Sequence, residues 1–330
     1  MVKLHIISIC LRTCREVCRS GKKGDELGVI KSTAAALLLF FASVLSADGS
    51  SVIAFAQDTM DNDYRKAQVY EVRDRVAERP GLRFVHSDAK GQTSLLILQI
   101  ERFIAQKVDL LIVGTNDADA VVPVVSKAYR TGIPVIILDR GIHGGEYSVF
   151  INSDNVRIGE MGAGYIAERL NGRGTVLLLE GLQKADVTHL RSRGFMERIA
   201  KYPGIRVIKR TGNYLRRDTI MAMEKLFAEG ERFDAVFSES DSMLSGLRSV
   251  MERYGMDPSD IVTVGCDYTS EARAAIRRGT QSASILFPLG GNRAVEAAEK
   301  ILAGTPVPKH IVIPVKLVTQ ENVDDVAPVF

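Results

Sequence analysis

The chain has 330 residues, 46% of them hydrophobic, no tryptophan and a formal net charge of +3. That length supplies a large core and sits where chains divide into two lobes. The charge is too small for a nucleic-acid-binding surface, and it is unevenly placed: residues 1–47 hold seven basic against three acidic residues, leaving 36 against 37 in the remainder. The folded body is near neutral, and the basic excess belongs to a leader.

Residues 33–45 read TAAALLLFFASVL, with Lys31 before them and Ser43, Ser46 and Ala47 at the exit. The run is shorter than the about 20 apolar residues a spanning helix needs. A basic flank, a short apolar run and small exit residues describe a secretory signal peptide cut near Ala47. An N-terminal anchor that is never cut is the alternative. The stretch before Lys31 is too long and mixed for an ordinary basic region, so the translation start is expected nearer Val29, with residues 1–28 a mis-assigned beginning. Cys10, Cys14 and Cys18 fall in this stretch, where nothing builds a fold around their spacing. Only Cys266 remains in the body, so no disulfide is expected there, which a large core tolerates in a secreted protein.

From residue 52 onward, short apolar runs alternate with longer amphipathic stretches. The runs 52–56, 82–86, 110–113, 135–138 and 147–151 form one series, and 176–179, 205–208, 235–237, 261–264 and 283–286 a second. Near-continuous apolar runs read as strands buried on both faces, hence parallel sheets covered by helices. The stretches 64–78, 93–106, 118–131, 156–170, 190–202, 217–229, 241–254 and 271–279 read as those helices. The alternation predicts right-handed βαβ units in two Rossmann-like lobes, with a boundary near 152–155. A helix at 293–302 and a strand at 311–315 follow the second series and are expected to return to the first lobe.

Ligands of open parallel sheets bind beyond the carboxyl ends of the strands. There the sequence places Gln57, Asp58, Asp61, Asn62, Tyr64 and Arg65 after the first run, Thr115, Asn116 and Asp117 after the third, and Asp139 and Arg140 after the fourth. In the second series it places Ser240 and Asp241, then Asp267. Carboxylates accept and a guanidinium donates in a fixed fork, so such rims suit neighbouring hydroxyls. Tyr64 and Tyr214 offer faces for the C–H side of a sugar ring. Each polar residue could equally be a helix cap. The adjacent opposite charges of Asp139 and Arg140 are the sharper signal. Asp58, Asp139, Asp241 and Asp267 outnumber Arg140 at these rims, and if Asp61 and Asp63 also face the cleft a cationic ligand such as an amino sugar is open.

Catalytic and cofactor motifs are scarce. Neither a phosphate-binding loop nor HExxH occurs, and GEMGAG (159–164) lies within a predicted helix, where close helix packing explains it better than dinucleotide binding. The five histidines are scattered, and Cys266 has no basic partner in the pattern, so it reads as a buried thiol. Neither an enzyme nor a metal site nor a cofactor is expected.

The stretches GIPVIILDRGI (132–142), INSDN (151–155), RSRGF (191–195), AVFSESDSMLSGL (235–247) and TVGCD (263–267) together resemble the periplasmic sugar-binding proteins of the ribose- and galactofuranose-binding type. The resemblance runs from about residue 52 to about 318. It implies the type I periplasmic binding protein fold, with a three-crossover hinge near 153–154, 287–288 and 314–315. The lobes would then be 51–153 plus 288–314, and 154–287 plus 315–330. It implies ligand contacts from Asp58, Asn62, Tyr64, Asp139 and Arg140 on the first lobe, and from Arg191, Tyr214, Ser240, Asp267 and Phe287 on the second. Ser240 stands where the ribose-binding pattern has asparagine, Arg65 where it has an aromatic, and Phe287 near its polar amide. Gln57 with Arg65 is closer to the galactofuranose-binding branch, and the pattern of donors and acceptors is not that of a ribose site.

The resemblance implies the substrate-binding component of an ABC transporter: a monomer in the periplasm that closes on a monosaccharide or related polyol and delivers it to a membrane permease. An alternative on the same fold is the effector domain of a LacI-type regulator, but the place of its helix-turn-helix holds the apolar segment 33–45. Another is a binding protein serving chemotaxis or a two-component sensor.

Overall fold

A computed structural model of the protein describes residues 50–330. The apolar segment 33–45, its cleavage site and Cys10, Cys14 and Cys18 lie outside the described residues. In chain order the elements are β1 (Ser51–Gln57), α1 (Asp63–Ala77), β2 (Leu82–Asp88), α2 (Thr93–Ala105), β3 (Leu110–Gly114), α3 (Val122–Arg130), β4 (Val135–Leu138), β5 (Val149–Ser153), α4 (Asn155–Arg169) and β6 (Arg173–Glu180). There follow α5 (Asp186–Ile199), β7 (Gly204–Thr211), α6 (Arg216–Ala228), β8 (Ala235–Ser238), α7 (Asp241–Arg253), β9 (Val262–Asp267), α8 (Ser270–Arg278), β10 (Ala283–Leu286), α9 (Gly291–Leu302), β11 (His310–Ile313) and β12 (Lys316–Thr319).

The strands form two six-stranded sheets of matching topology, β11-β5-β4-β3-β1-β2 and β12-β10-β9-β8-β6-β7. Each is the centre of one lobe. Alternation along β1 shows why helices cover both faces: Ile53 and Phe55 enter one apolar cluster, Ala54 and Ala56 another. The returning helix α9 places Val295 and Ala298 beside Val69 and Val72 of α1, against the first sheet. The backbone passes between the sheets three times, between β5 and α4, between β10 and α9, and between β11 and β12.

Three departures from the sequence pattern have local causes. The strand expected at 311–315 is divided at Pro314, which has no N–H to donate and interrupts the ladder. Its first half, β11, pairs parallel with β5, and the next residues form β12, antiparallel to β10 in the other sheet. The sheets are therefore not wholly parallel. The helix expected from 118 begins only at Val122, because the Asp117 carboxylate accepts the amides of Asp119 and Ala120 in a turn of its own. Helix α5 begins at Asp186 rather than near 190, and this extra turn carries the start of the site.

Gly159 on α4 and Gly194 on α5 bring these helices into backbone contact. A Cβ on Gly159 would lie 2.0 Å from the Arg191 carbonyl oxygen, and one on Gly194 2.0 Å from that of Val156. The glycine pattern at 159–164 thus serves helix packing.

Candidate functional site

Between the carboxyl ends of the two sheets lies a tight cavity of about 20 Å³. Asn62, Tyr64, Arg65, Asp139 and Arg140 line it from the first lobe, and Val187, Arg191, Tyr214, Ser240, Asp267 and Phe287 from the second. Of the ligand contacts that the resemblance implied, all reach the cavity wall except Asp58, which is sealed behind it at 1% exposure; of the other rim candidates Arg65 reaches it, whereas Gln57, Asp61, Thr115, Asn116, Asp117 and Asp241 do not. Val187 is the member that the sequence pattern did not offer.

The first lobe's half is an alternating chain of buried charges. Arg65 Nη1 pairs with Asp139 Oδ2 at 2.8 Å, Arg65 Nε lies 3.5 Å from Asp58 Oδ1, and Arg140 Nη1 pairs with Asp58 Oδ2 at 3.0 Å. Arg65 also donates to Gln68 Oε1 and to the Thr115 carbonyl, so its own donors are turned inward. Three atoms of this chain of charges have no hydrogen-bond partner: Asp58 Oδ1, behind the wall, and Asp139 Oδ1 and Arg140 Nε, on adjacent residues that line the cavity. Buried polar groups are almost always paired, so two orphans on adjacent residues mark the place of a missing partner.

Asn62 caps α1 by accepting the Arg65 amide and donates from Nδ2 to the Tyr214 carbonyl oxygen at 2.7 Å, across the lobes. Tyr64 stacks on Phe287 with ring centroids 5.2 Å apart and donates its hydroxyl to the Pro288 carbonyl. Its ring is thus engaged by protein.

On the second lobe, Arg191 donates from Nε to Asn155 Oδ1 and from Nη1 to the Glu239 carbonyl, and its guanidinium lies 4.5 Å from the centroid of Phe287. An aromatic at 287 therefore holds a cation rather than offering an amide to the ligand. The Tyr214 hydroxyl bonds Thr188 Oγ1 and Glu239 Oε2, and Arg140 lies 5.2 Å from its ring centroid. Ser240 Oγ accepts the Met243 amide as cap of α7, a duty both alternatives for this residue allow. Burial pushes the Asp267 carboxyl well above the usual carboxylate range; Arg191 opposes this, and Asp241 and Asp139 add to it.

Glu239 was not legible in the sequence. It is wholly buried behind Tyr214, where Oε2 accepts from the Gly181 amide and Oε1 from Ser192 Oγ. Burial pushes its carboxyl up to about 7. Asp241, expected at the rim, instead ties α7 to its neighbours, accepting from Ser284, Gln281 and the Tyr268 amide.

Further contacts join the rims. The Gly141 amide donates to Asp186 Oδ2 at 2.9 Å, and Ser242 Oγ to Asp63 Oδ2 at 3.2 Å. The cleft is closed. Among the described residues, no cluster of three His, Cys, Asp or Glu side chains is placed to hold a metal, and no helix is long and apolar enough to cross a membrane.

Two matching α/β lobes, three crossings and a polar cavity between them define a protein that closes around a small solute. The sequence profile of the periplasmic binding protein domain matches residues 53–306, and the chain belongs to that family. It is a solute-binding protein, not an enzyme. It is 33% identical over 250 residues to the ribose import binding protein RbsB of Bacillus subtilis strain 168, covering 75% of this chain and 81% of that one. To the galactofuranose-binding protein YtfQ of Escherichia coli K12 it is 26% identical over 292 residues, covering 83% and 92%. An ABC transporter solute-binding protein of Bacillus halodurans C-125, solved with bound myo-inositol, superposes with a TM-score of 0.79 at 26% identity, covering 85% of this chain and 98% of that one.

Proposed function

We propose that the protein binds a neutral monosaccharide or related polyol in the cavity between its lobes and delivers it to the permease of an ABC importer. The observation that carries this reading is the orphaned pair, Asp139 Oδ1 and Arg140 Nε. One waits for a hydroxyl hydrogen and the other for a hydroxyl oxygen, which neighbouring hydroxyls of one ligand supply together. Three guanidinium groups, of Arg65, Arg140 and Arg191, stand with the carboxylates of Asp58 and Asp139 and with Asp267, whose ionisation burial opposes, so no surplus of negative charge lines the site. This balance favours a neutral ligand over the cationic one that the acidic rim left open.

Relatives named for ribose and galactofuranose, and a neighbour solved with myo-inositol, support a sugar or polyol without choosing among them. The lobes work as 51–153 plus 288–314 and 154–287 plus 315–330, turning about the three crossings. Both halves of the site come from one chain, so a monomer is the working unit. Family membership supports a site of action outside the cytoplasmic membrane, reached through the segment 33–45.

A thermal-shift screen of residues 48–330 against pentoses, hexoses, amino sugars and polyols tests the reading. A ligand present well above its Kd raises the unfolding midpoint by mass action. No shift with any neutral sugar or polyol would overturn it.

A further inference from the structure

We infer that Asp58, although it does not touch the cavity, is a positioning residue that sets which hydroxyls the site accepts. The inference rests on the proposed sugar-binding reading.

Asp58 has one oxygen on each of two arginines. Oδ2 pairs with Arg140 Nη1 at 3.0 Å and Oδ1 lies 3.5 Å from Arg65 Nε. Its amide donates to Gln57 Oε1, and the residue is 1% exposed. A guanidinium is planar, so holding one terminal nitrogen fixes where the remaining N–H groups point. With Nη1 of Arg140 held, the plane of the group is fixed, and Nε is buried and unpartnered on a residue of the cavity wall. Arg65, steadied on its other side, holds Asp139 by Oδ2 alone, leaving Oδ1 unpartnered. The free acceptor of Asp139 and the free Nε of Arg140 therefore both follow from where Asp58 sits. Displacing that carboxylate frees Arg140 to rotate, and the site then ceases to discriminate by hydroxyl position.

Two variants separate position from charge. Asp58→Asn keeps the shape and removes the charge. Asp58→Glu keeps the charge that neutralises two buried guanidinium groups and moves it by one methylene, so it remains informative if the first does not fold. Calorimetry on the purified protein uses D-ribose, D-galactose, L-arabinose, D-apiose and myo-inositol, then the monodeoxy derivatives of the tightest binder. Both variants are expected to bind that sugar roughly tenfold or more weakly. The penalty for removing the hydroxyl that faces Arg140 is expected to shrink toward nothing, while penalties at hydroxyls facing the second lobe persist. A merely structural residue would weaken all derivatives by one common factor, and that result overturns the inference, as does unchanged affinity and discrimination. Either leaves the sugar-binding reading standing, whereas an unaltered protein that binds none of these five compounds nor any other neutral sugar or polyol of the thermal-shift screen overturns both.

Discussion

Asp139 and Asp267 occupy the same position in the two lobes, each at the exit of the third strand from the β11 or β12 edge, and both have a left-handed backbone, with φ of 70° and 108°. Such a conformation costs a residue with a side chain about 1 to 3 kcal/mol and persists where surrounding structure enforces it. Here it turns a carboxylate from each sheet toward the shared cavity. Asp267 carries the second burden of burial, which pushes its carboxyl well up. Asp267→Gly relieves both, so its urea midpoint is expected to rise while sugar affinity falls at least tenfold. A fall in both would mean that the carboxylate stabilises the lobe.

Asp139→Ala removes the orphaned acceptor and also the partner of Arg65 Nη1. Affinity for the cognate sugar is expected to drop by about 2 to 3 kcal/mol, roughly a hundredfold, through groups left unpaired. Calorimetry at one temperature checks this, and unchanged affinity would remove Asp139 from the site.

Arg65→Met strands the buried carboxylate of Asp139 and leaves that of Asp58 with Arg140 alone. Removing one side of a buried ion pair costs about 3 to 5 kcal/mol. The urea midpoint without ligand is therefore expected to fall substantially, and substituting Asp139→Asn in the same chain should recover part of the loss. Additive losses would show that the two residues are not coupled.

These residues also show how far sequence reading reaches. The strands and the helices that cover them follow from apolar runs separated by amphipathic stretches, and the rim residues follow from strand ends, because both are local in the chain. The charge chain is not local: Asp58 and Arg140 meet across 82 positions, so spacing cannot tell a ligand contact from the support behind one. Glu239 escaped for a related reason. It sits between Ser238 and Ser240 in a run of small polar residues, and only the arrival of Gly181, Ser192 and Tyr214 from other elements gives it a role. The sequence pattern shows Arg191 only within a charged helix start, because its burial depends on α4 lying in backbone contact with α5.

Glu239 makes stability depend on pH. Burial raises its carboxyl from 4.5 to about 7, so between those values the folded protein holds a proton that the unfolded chain has released. Stability from this group is full below about 4.5, declines as the pH rises to about 7 and is flat above. Glu239→Gln keeps an acceptor and cannot ionise. Its thermal midpoint is expected to show a shallower decline across that window than the unaltered protein, with Asp241, raised to about 6, supplying part of the remainder. Parallel curves for the two proteins would assign the pH dependence elsewhere.

Gly194 tests the packing that holds Arg191 in place. A Cβ there would meet the Val156 carbonyl oxygen at 2.0 Å and its carbonyl carbon at 2.8 Å, and backbone cannot swing aside as a side chain can. Gly194→Ala must push α5 away from α4, and with it the Arg191 Nε bond to Asn155, which lies at the start of α4. Overpacking of this kind costs about 1 to 3 kcal/mol, against which the better helix propensity of alanine returns about 1 kcal/mol. Gly164 is the control: it lies on the same α4, and a Cβ there meets nothing closer than the Arg198 side chain at 3.7 Å. Gly164→Ala is expected to be neutral or stabilising in urea unfolding, and Gly194→Ala to lose both stability and sugar affinity. Equal behaviour of the two substitutions would mean that the helices have room to separate and that Arg191 is held by its hydrogen bonds alone.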